Sequence, residues 1–186
     1  MSLLQKSHTK LKEILQSGDY AIDATAGNGH DTLKLAGYVS PNGEVLGIDI
    51  QDQAIKSTQA LLSQHKMADS VTVVKGNHQD LEKLVPSKWH KKVKAIVFNL
   101  GFLPGSDKTV ITQAESTLKA LKASVKLLAP NGLLSVMLYP GHSGGDNEAE
   151  QVRAWARSLD ETFKIKFIRG QSRSPKAPEL LLVSLV

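Results

Sequence analysis

A short apolar run that gives way to a stretch of helical period is the unit this chain repeats, and that repetition limits its fold more than any single residue does. "GDYAIDATAG" reads as a short buried strand after the break at Gly18, and "HDTLKLAGYVS" as the helix that follows. "EVLGIDI" is then a second buried strand, and Gln53 to His65 a helix with Ala54, Ile55, Thr58, Leu61 and Leu62 on one face. "SVTVVKG" and "VKAIVFNL" predict a third and a fourth strand, with a short helical piece, "HQDLEKLV", between them that the Pro86 region terminates. Leu118, Leu121, Val125 and Leu128 predict a long helix over Thr112 to Leu128, with "APNG" as the turn that closes it and "LLSVMLYP" as the fifth strand. A helix over Asn147 to Leu159 separates that strand from "TFKIKFIRG" and "ELLLVSLV", which "QSRSPKAP" joins without a helix.

Alternation of this kind, with right-handed crossovers, puts the strands in a parallel sheet with helices on both faces, while two strands lacking an intervening helix pair antiparallel. The expected fold is α/β and Rossmann-like: seven strands, mostly parallel, with an antiparallel last strand. Leu4, Leu11, Ile14 and Leu15 recur at helical spacing, which predicts an N-terminal helix within residues 1–17. Residues 1–186 read as one domain without an internal repeat.

Composition narrows the chemistry. The chain has no cysteine, which excludes disulfides, thiolate zinc sites and a cysteine nucleophile and fits a reducing cytoplasm. No apolar run approaches the roughly 18 residues that cross a bilayer, and "MSLLQKSHTK" lacks the apolar core of a secretion signal, so a soluble cytoplasmic protein is expected. The 23 Lys and Arg against 18 Asp and Glu leave a formal charge of +5, which permits a polyanionic partner without requiring one.

Ligands in open α/β sheets bind outside the carboxyl ends of the strands where strand order reverses, so the loops Asp23 to Asp31, Asp49, Gly76 to Asp80 and Asn99 to Lys108 are expected to form one site. Gly27 and Gly29 let the backbone turn sharply and approach a ligand. A Walker phosphate loop is excluded because His30 and Asp31 follow Gly29, and the dinucleotide loop lacks its third glycine, which would fall at Thr32. Asp49 at the end of the second strand can accept hydrogen bonds from vicinal ribose hydroxyls. Asp23, under the glycine turn, can anchor the turn amides and face a positively charged amino or sulfonium group, where it would repel a pyrophosphate. Asn77 or His78 can meet an adenine edge, or Asn77 can cap a helix. No histidine or cysteine spacing suits zinc, and no metal is expected.

Asn99 can accept a hydrogen bond from an amine and align its lone pair for in-line attack. Beyond it, Gly101, Phe102, Asp107 and Lys108 are candidate substrate contacts or lid residues. Tyr139 and His142 are candidate substrate contacts or proton acceptors, with Asp146 or Asn147 capping the next helix and Gly144 and Gly145 supplying its turn. Arg169, Arg173 and Lys176 suit nucleic-acid phosphates, though a solvated loop accounts for them equally. His8, His65 and His90 carry no functional expectation.

The motif "AIDATAGNGHD", the acidic "GIDI", the strand-four "FNLGFLPG" and the final two strands resemble the class I S-adenosylmethionine-dependent methyltransferases across nearly the whole chain. The strings "ATAGNGHDT", "NLGFLPG" and "YPGHSGG" are similar to those of a small bacterial family named for rRNA methylation and connected with methylation of the aminomethyl group of 5-aminomethyl-2-thiouridine, the wobble uridine of tRNA. The resemblance implies S-adenosylmethionine as cofactor. It places Asp23, Thr25, Gly27, Asn28, Gly29 and Asp31 about the methionine-side pocket, Asp49 with Ile50 at the ribose, and Asn77 or His78 near adenine. Asn99 and the loop after it would approach the accepting nitrogen, with His142 or solvent taking a proton. A tRNA anticodon loop as partner and a homodimer are also implied. Thr25 stands where the wider class has its first glycine. "NLGF" departs from the Asn-Pro-Pro-Tyr of many amino-group methylases, a departure compatible with a more basic aliphatic amine. The competing classes are an rRNA, small-molecule or protein methyltransferase using the same pocket, a nicotinamide oxidoreductase, and a noncatalytic RNA-binding domain.

Overall fold

The computed structural model describes residues 1–101, 112–141, 144–170, 172, 174 and 176–186. Strands β1 (Tyr20–Asp23), β2 (Glu44–Asp49), β3 (Val71–Lys75), β4 (Val93–Asn99), β5 (Leu128–Leu138), β6 (Phe163–Arg169) and β7 (Glu179–Leu185) form one sheet in the order β3-β2-β1-β4-β5-β7-β6. The first five run parallel, and β7 is antiparallel to both of its neighbours. A connection without a helix cannot cross back to make a parallel pair, so the chain reverses after β6 and fills the slot between β6 and β5.

Side-chain parity assigns each residue of the central strands to a face. Ile22, Leu46, Ile48, Ile96, Phe98, Leu134 and Val136 point to one core, with Leu81 of α4 (Leu81–Leu84), Leu121 of α5 (Ala114–Leu127) and Trp155 of α6 (Gly145–Arg157). Ala21, Val45, Ala95, Val97, Leu133 and Met137 point to the other, under Leu11 of α1 (Leu3–Ile14) and Leu35, Ala36 and Val39 of α2 (His30–Val39). Helix α3 (Asp52–Gln64) packs against β2, β3 and α2.

Helix α1 begins at a reciprocal cap. Gln5 N donates to Ser2 Oγ at 3.1 Å and Ser2 N to Gln5 Oε1 at 2.8 Å, which satisfies two amides that would otherwise lack partners. Leu11 and Leu15 anchor the segment in the core, each worth about 1.5–3 kcal/mol of burial. Ser7 Oγ and Ser135 Oγ, 2.8 Å apart, tie α1 to β5. The helix is shorter than residues 1–17 and ends at Ile14.

Two boundaries differ from expectation. "APNG" lies inside β5, because Val93 pairs with Leu128 while Ala95 pairs with Leu133, so residues 129–132 are accommodated as an irregularity with Asn131 at φ 57. Helix α6 starts at Gly145 with Gly144 at φ 80 as its N-cap, so neither Asp146 nor Asn147 caps it. Asp146 and Glu148 instead occupy its first turn, where carboxylates favour the helix dipole.

Candidate active site

Strand order reverses between β1 and β4, and the turn after β1 is stitched into the strand ends there. Ala24 N donates to Val97 O at 2.9 Å, Ala26 N to Ile48 O at 2.9 Å and Gly29 N to Ala26 O at 2.8 Å. Gly27 and Gly29 take φ values of 55 and 82, in the left-handed region. A Cβ on Gly29 would sit 2.9 Å from Thr58 Cα, so α3 also excludes a side chain there. Thr58 Oγ1 donates to Gly27 O at 3.1 Å.

The turn is coupled to β2 through Asp49. Its Oδ2 accepts from Gly27 N at 2.9 Å and its Oδ1 from Gln51 N at 2.9 Å. Each carboxylate oxygen has a second lone pair, so Asp49 can still accept from two hydroxyls.

These elements enclose a cleft of about 530 Å³, inside the range of about 300–1,000 Å³ typical of small-molecule sites. Thr25, Gly27, Asn28, Asp31, Asp49, Ile50, Asn77, His78, Asn99, Gly101 and Tyr139 all line it. Gly29 stands behind it as the N-cap of α2. Asp23 is completely buried beneath the turn and is not in the wall; its Oδ2 accepts from Thr32 Oγ1 at 2.7 Å and its Oδ1 from Thr25 N at 3.2 Å. Asp23 therefore anchors the turn but does not present its carboxylate to a ligand. Burial, with Asp31 close by, pushes its pKa up to about 7.

At the β4 end, Asn99 N donates to Thr25 Oγ1 at 2.7 Å and Asn99 Nδ2 to Asp31 Oδ2 at 2.7 Å. A carboxylate accepts only the NH2 edge of an amide, which fixes the flip of Asn99 and leaves Oδ1 as its remaining acceptor. Thr25, in the place of a glycine, thus positions the neighbouring strand end. Asp31 Oδ1 is 2.6 Å from His8 Nε2 on α1. Burial acts to raise Asp31, but the hydrogen bonds from His8 and Asn99 outweigh it and hold the carboxyl below its ordinary value. Sequence reading missed His8, although it falls on the stripe formed by Leu4, Leu11 and Leu15, where a polar residue stands out.

Asn77 both caps and lines the cleft: its Oδ1 accepts from Gln79 N at 3.0 Å, leaving its NH2 uncommitted by that bond. His78 is buried edge-on to Phe98, with Nε2 unpartnered among the described residues, and burial lowers its pKa to about 4. Tyr139 sits at the cleft mouth, its hydroxyl pKa raised by burial and by the charge of Asp31.

The far wall is fixed by residues the sequence did not advertise. Gly101 N donates to Thr112 Oγ1 at 2.9 Å and Thr112 N to Gly101 O at 2.9 Å. Buried Glu148 of α6 accepts from Thr112 Oγ1 and Thr117 Oγ1, both at 2.7 Å. Phe102, Asp107, Lys108, His142 and Arg173 lie outside the described residues. Arg169 does not reach the cleft. It ends the outer strand β6, pairs with Glu179 at 2.8 Å and keeps a side chain 75% exposed, at the same carboxyl end of the strands as the site.

The chemistry of this donor set fits S-adenosylmethionine. Glycine at the turn leaves room for close approach, Asp49 offers acceptors for a diol, apolar Ile50 and Leu100 can flank a base, and Asn77 offers an amide beside it. Among the described residues no cluster of three His, Asp or Glu could hold a metal ion, and no helix is long and apolar enough to cross a membrane.

A family profile described as "Putative rRNA methylase" matches residues 45–184. The "tRNA (mnm(5)s(2)U34)-methyltransferase, chloroplastic" of Arabidopsis thaliana is 40% identical over 185 residues, which cover 95% of this chain and 67% of that protein. A crystal structure of a "putative rRNA-methylase" from Clostridium thermocellum aligns with a TM-score of 0.94 at 35% identity, covering 100% of this chain and 98% of that one. A "putative methyltransferase" from Streptococcus mutans, solved in complex with SAH, aligns with a TM-score of 0.88 at 31% identity, covering 100% and 99%.

Proposed function

This chain belongs to the rRNA methylase family and is an S-adenosylmethionine-dependent methyltransferase, and we propose that it methylates an aliphatic amine on RNA, the aminomethyl group of 5-aminomethyl-2-thiouridine at tRNA position 34. The observation that carries the proposal is the orientation of Asn99. With its NH2 bound to Asp31, the side chain meets the cleft with an acceptor, which suits an N–H of an incoming amine. The 40% identity to the Arabidopsis tRNA methyltransferase supports the same substrate.

S-adenosylmethionine supplies an electrophilic methyl group on a sulfonium. Asp49 and Ile50 hold its ribose, Asn77 and His78 border its base, and the turn from Thr25 to Gly29 faces its methionine end. Asn99 Oδ1 aligns the amine lone pair, and the transfer is a direct displacement, so no covalent protein nucleophile is needed. Residues 1–186 act as one domain, paired as a homodimer in the cytoplasm, and exposed Arg169 contacts backbone phosphates of the anticodon loop.

Methylation of ribosomal RNA is the second reading, favoured by the description of the matching family. Labelled methyl transfer to undermodified tRNA and to ribosomal RNA, followed by nucleoside analysis, separates the two. Label confined to ribosomal RNA would reverse the order of preference.

A further inference from the structure

Among the described residues two carboxylates line the cleft, and they are held differently. Asp49 is tied by backbone amides, as a structural clamp is, whereas Asp31 is held by two side chains from separate elements, His8 of α1 and Asn99 of β4. The fold does not depend on those two bonds to seat α1, because Leu11, Leu15 and the Ser7–Ser135 contact already do so. Their effect is to hold a carboxylate, 12% exposed, against the NH2 edge of Asn99, in the wall of the cleft that Asn99 Oδ1 also faces. A neutral primary amine has two N–H bonds and one lone pair. Two adjacent acceptors that engage both N–H bonds leave the lone pair as the free direction.

We propose that Asp31 is a second substrate-recognising group, which with Asn99 Oδ1 holds the accepting amine, and that His8, 2.6 Å from Asp31 Oδ1, is its positioning residue. The proposal rests on the amine-methylation reading and deepens it. An arriving ammonium is attracted to Asp31 and loses one proton to solvent. The freed nitrogen pair then forms the N–C bond as the C–S bond of the cofactor breaks, with that electron pair remaining on sulfur and the product leaving as a secondary ammonium.

The test is the affinity of the full-length protein, saturated with S-adenosylhomocysteine, for an anticodon stem-loop carrying the aminomethyl group and for the same RNA lacking it. At about pH 8 the wild type is expected to prefer the aminomethyl RNA by about tenfold or more, the scale of one charge-assisted hydrogen bond. Asp31→Asn and His8→Leu should lose most of that preference while binding S-adenosylhomocysteine as the wild type does; His8→Gln, which keeps a donor to Asp31, should retain it. Full preference in Asp31→Asn, a His8→Gln variant that loses the preference as His8→Leu does, or loss of S-adenosylhomocysteine affinity in Asp31→Asn would each overturn the proposal while leaving methyl transfer intact. A wild type without any preference would overturn the amine reading together with it.

Discussion

Asn99 Nδ2 and Asp31 Oδ2 stand 2.7 Å apart, so a carboxylate at the start of α2 dictates which edge of an amide at the end of β4 meets the cleft. Asn99→Ala removes that edge but not the Asn99 backbone bond to Thr25, so the strand end should stay in place. Methyl transfer is expected to fall by about 10²-fold, the order of loss for a misaligned reactant, with unchanged affinity for S-adenosylhomocysteine. Steady-state kinetics beside calorimetry check this; a variant that loses cofactor affinity and turnover together would assign Asn99 to the cofactor.

Asp49→Ala removes the acceptor for Gly27 N and Gln51 N and, in the proposed site, for the ribose hydroxyls. The dissociation constant for S-adenosylhomocysteine should rise by about 10- to 100-fold, corresponding to about 1.5–3 kcal/mol for hydrogen bonds to a charged group. Unaltered calorimetric affinity would remove the ribose contact from the account.

Gly29→Ala tests the turn itself. The residue sits at φ 82 with Thr58 Cα 2.9 Å from where the new Cβ would lie. Urea unfolding should show a loss of about 1–3 kcal/mol from left-handed strain, with further loss from displacement of α3. Wild-type stability would mean the turn relaxes freely and is not held by α3.

Asp23 and His78 should give opposing pH dependences. Burial, then the charge of Asp31, raises Asp23 from 3.8 to about 7, so its contribution to stability is fully present below about 4 and is lost as pH rises through about 7. Burial lowers His78 from 6.5 to about 4, so in the overlapping window its contribution falls as pH falls. Asp23→Asn removes the first effect alone. Its stability relative to wild type should therefore climb as pH is raised from about 4 to 7, read from urea midpoints. A difference independent of pH would mean that Asp23 titrates as an ordinary carboxylate.

Much of the fold was legible because the central strands are buried on both faces and so read as short continuous apolar runs, while crossover helices carry an apolar stripe, as with Leu118, Leu121 and Val125. The insertion of β7 between β5 and β6 was not, since local pattern records pairing between successive strands but not which edge they join. "APNG" read as a turn because Pro130, Asn131 and Gly132 have turn chemistry, yet neighbouring β4 absorbed them into a strand irregularity. The cleft residues from Thr25 to Asn99 were found because loops at a sheet reversal converge. His8 and Glu148 were not: one is brought in by a helix from far upstream and the other by a helix far downstream, and neither lies in a loop.

The central claim is methyl transfer to the aminomethyl nitrogen of the tRNA wobble uridine. Purified protein, labelled S-adenosylmethionine and tRNA bearing 5-aminomethyl-2-thiouridine should yield, after digestion, label in the methylaminomethyl nucleoside and nowhere else. Label in another nucleoside, or none from protein that binds S-adenosylhomocysteine normally, would contradict it.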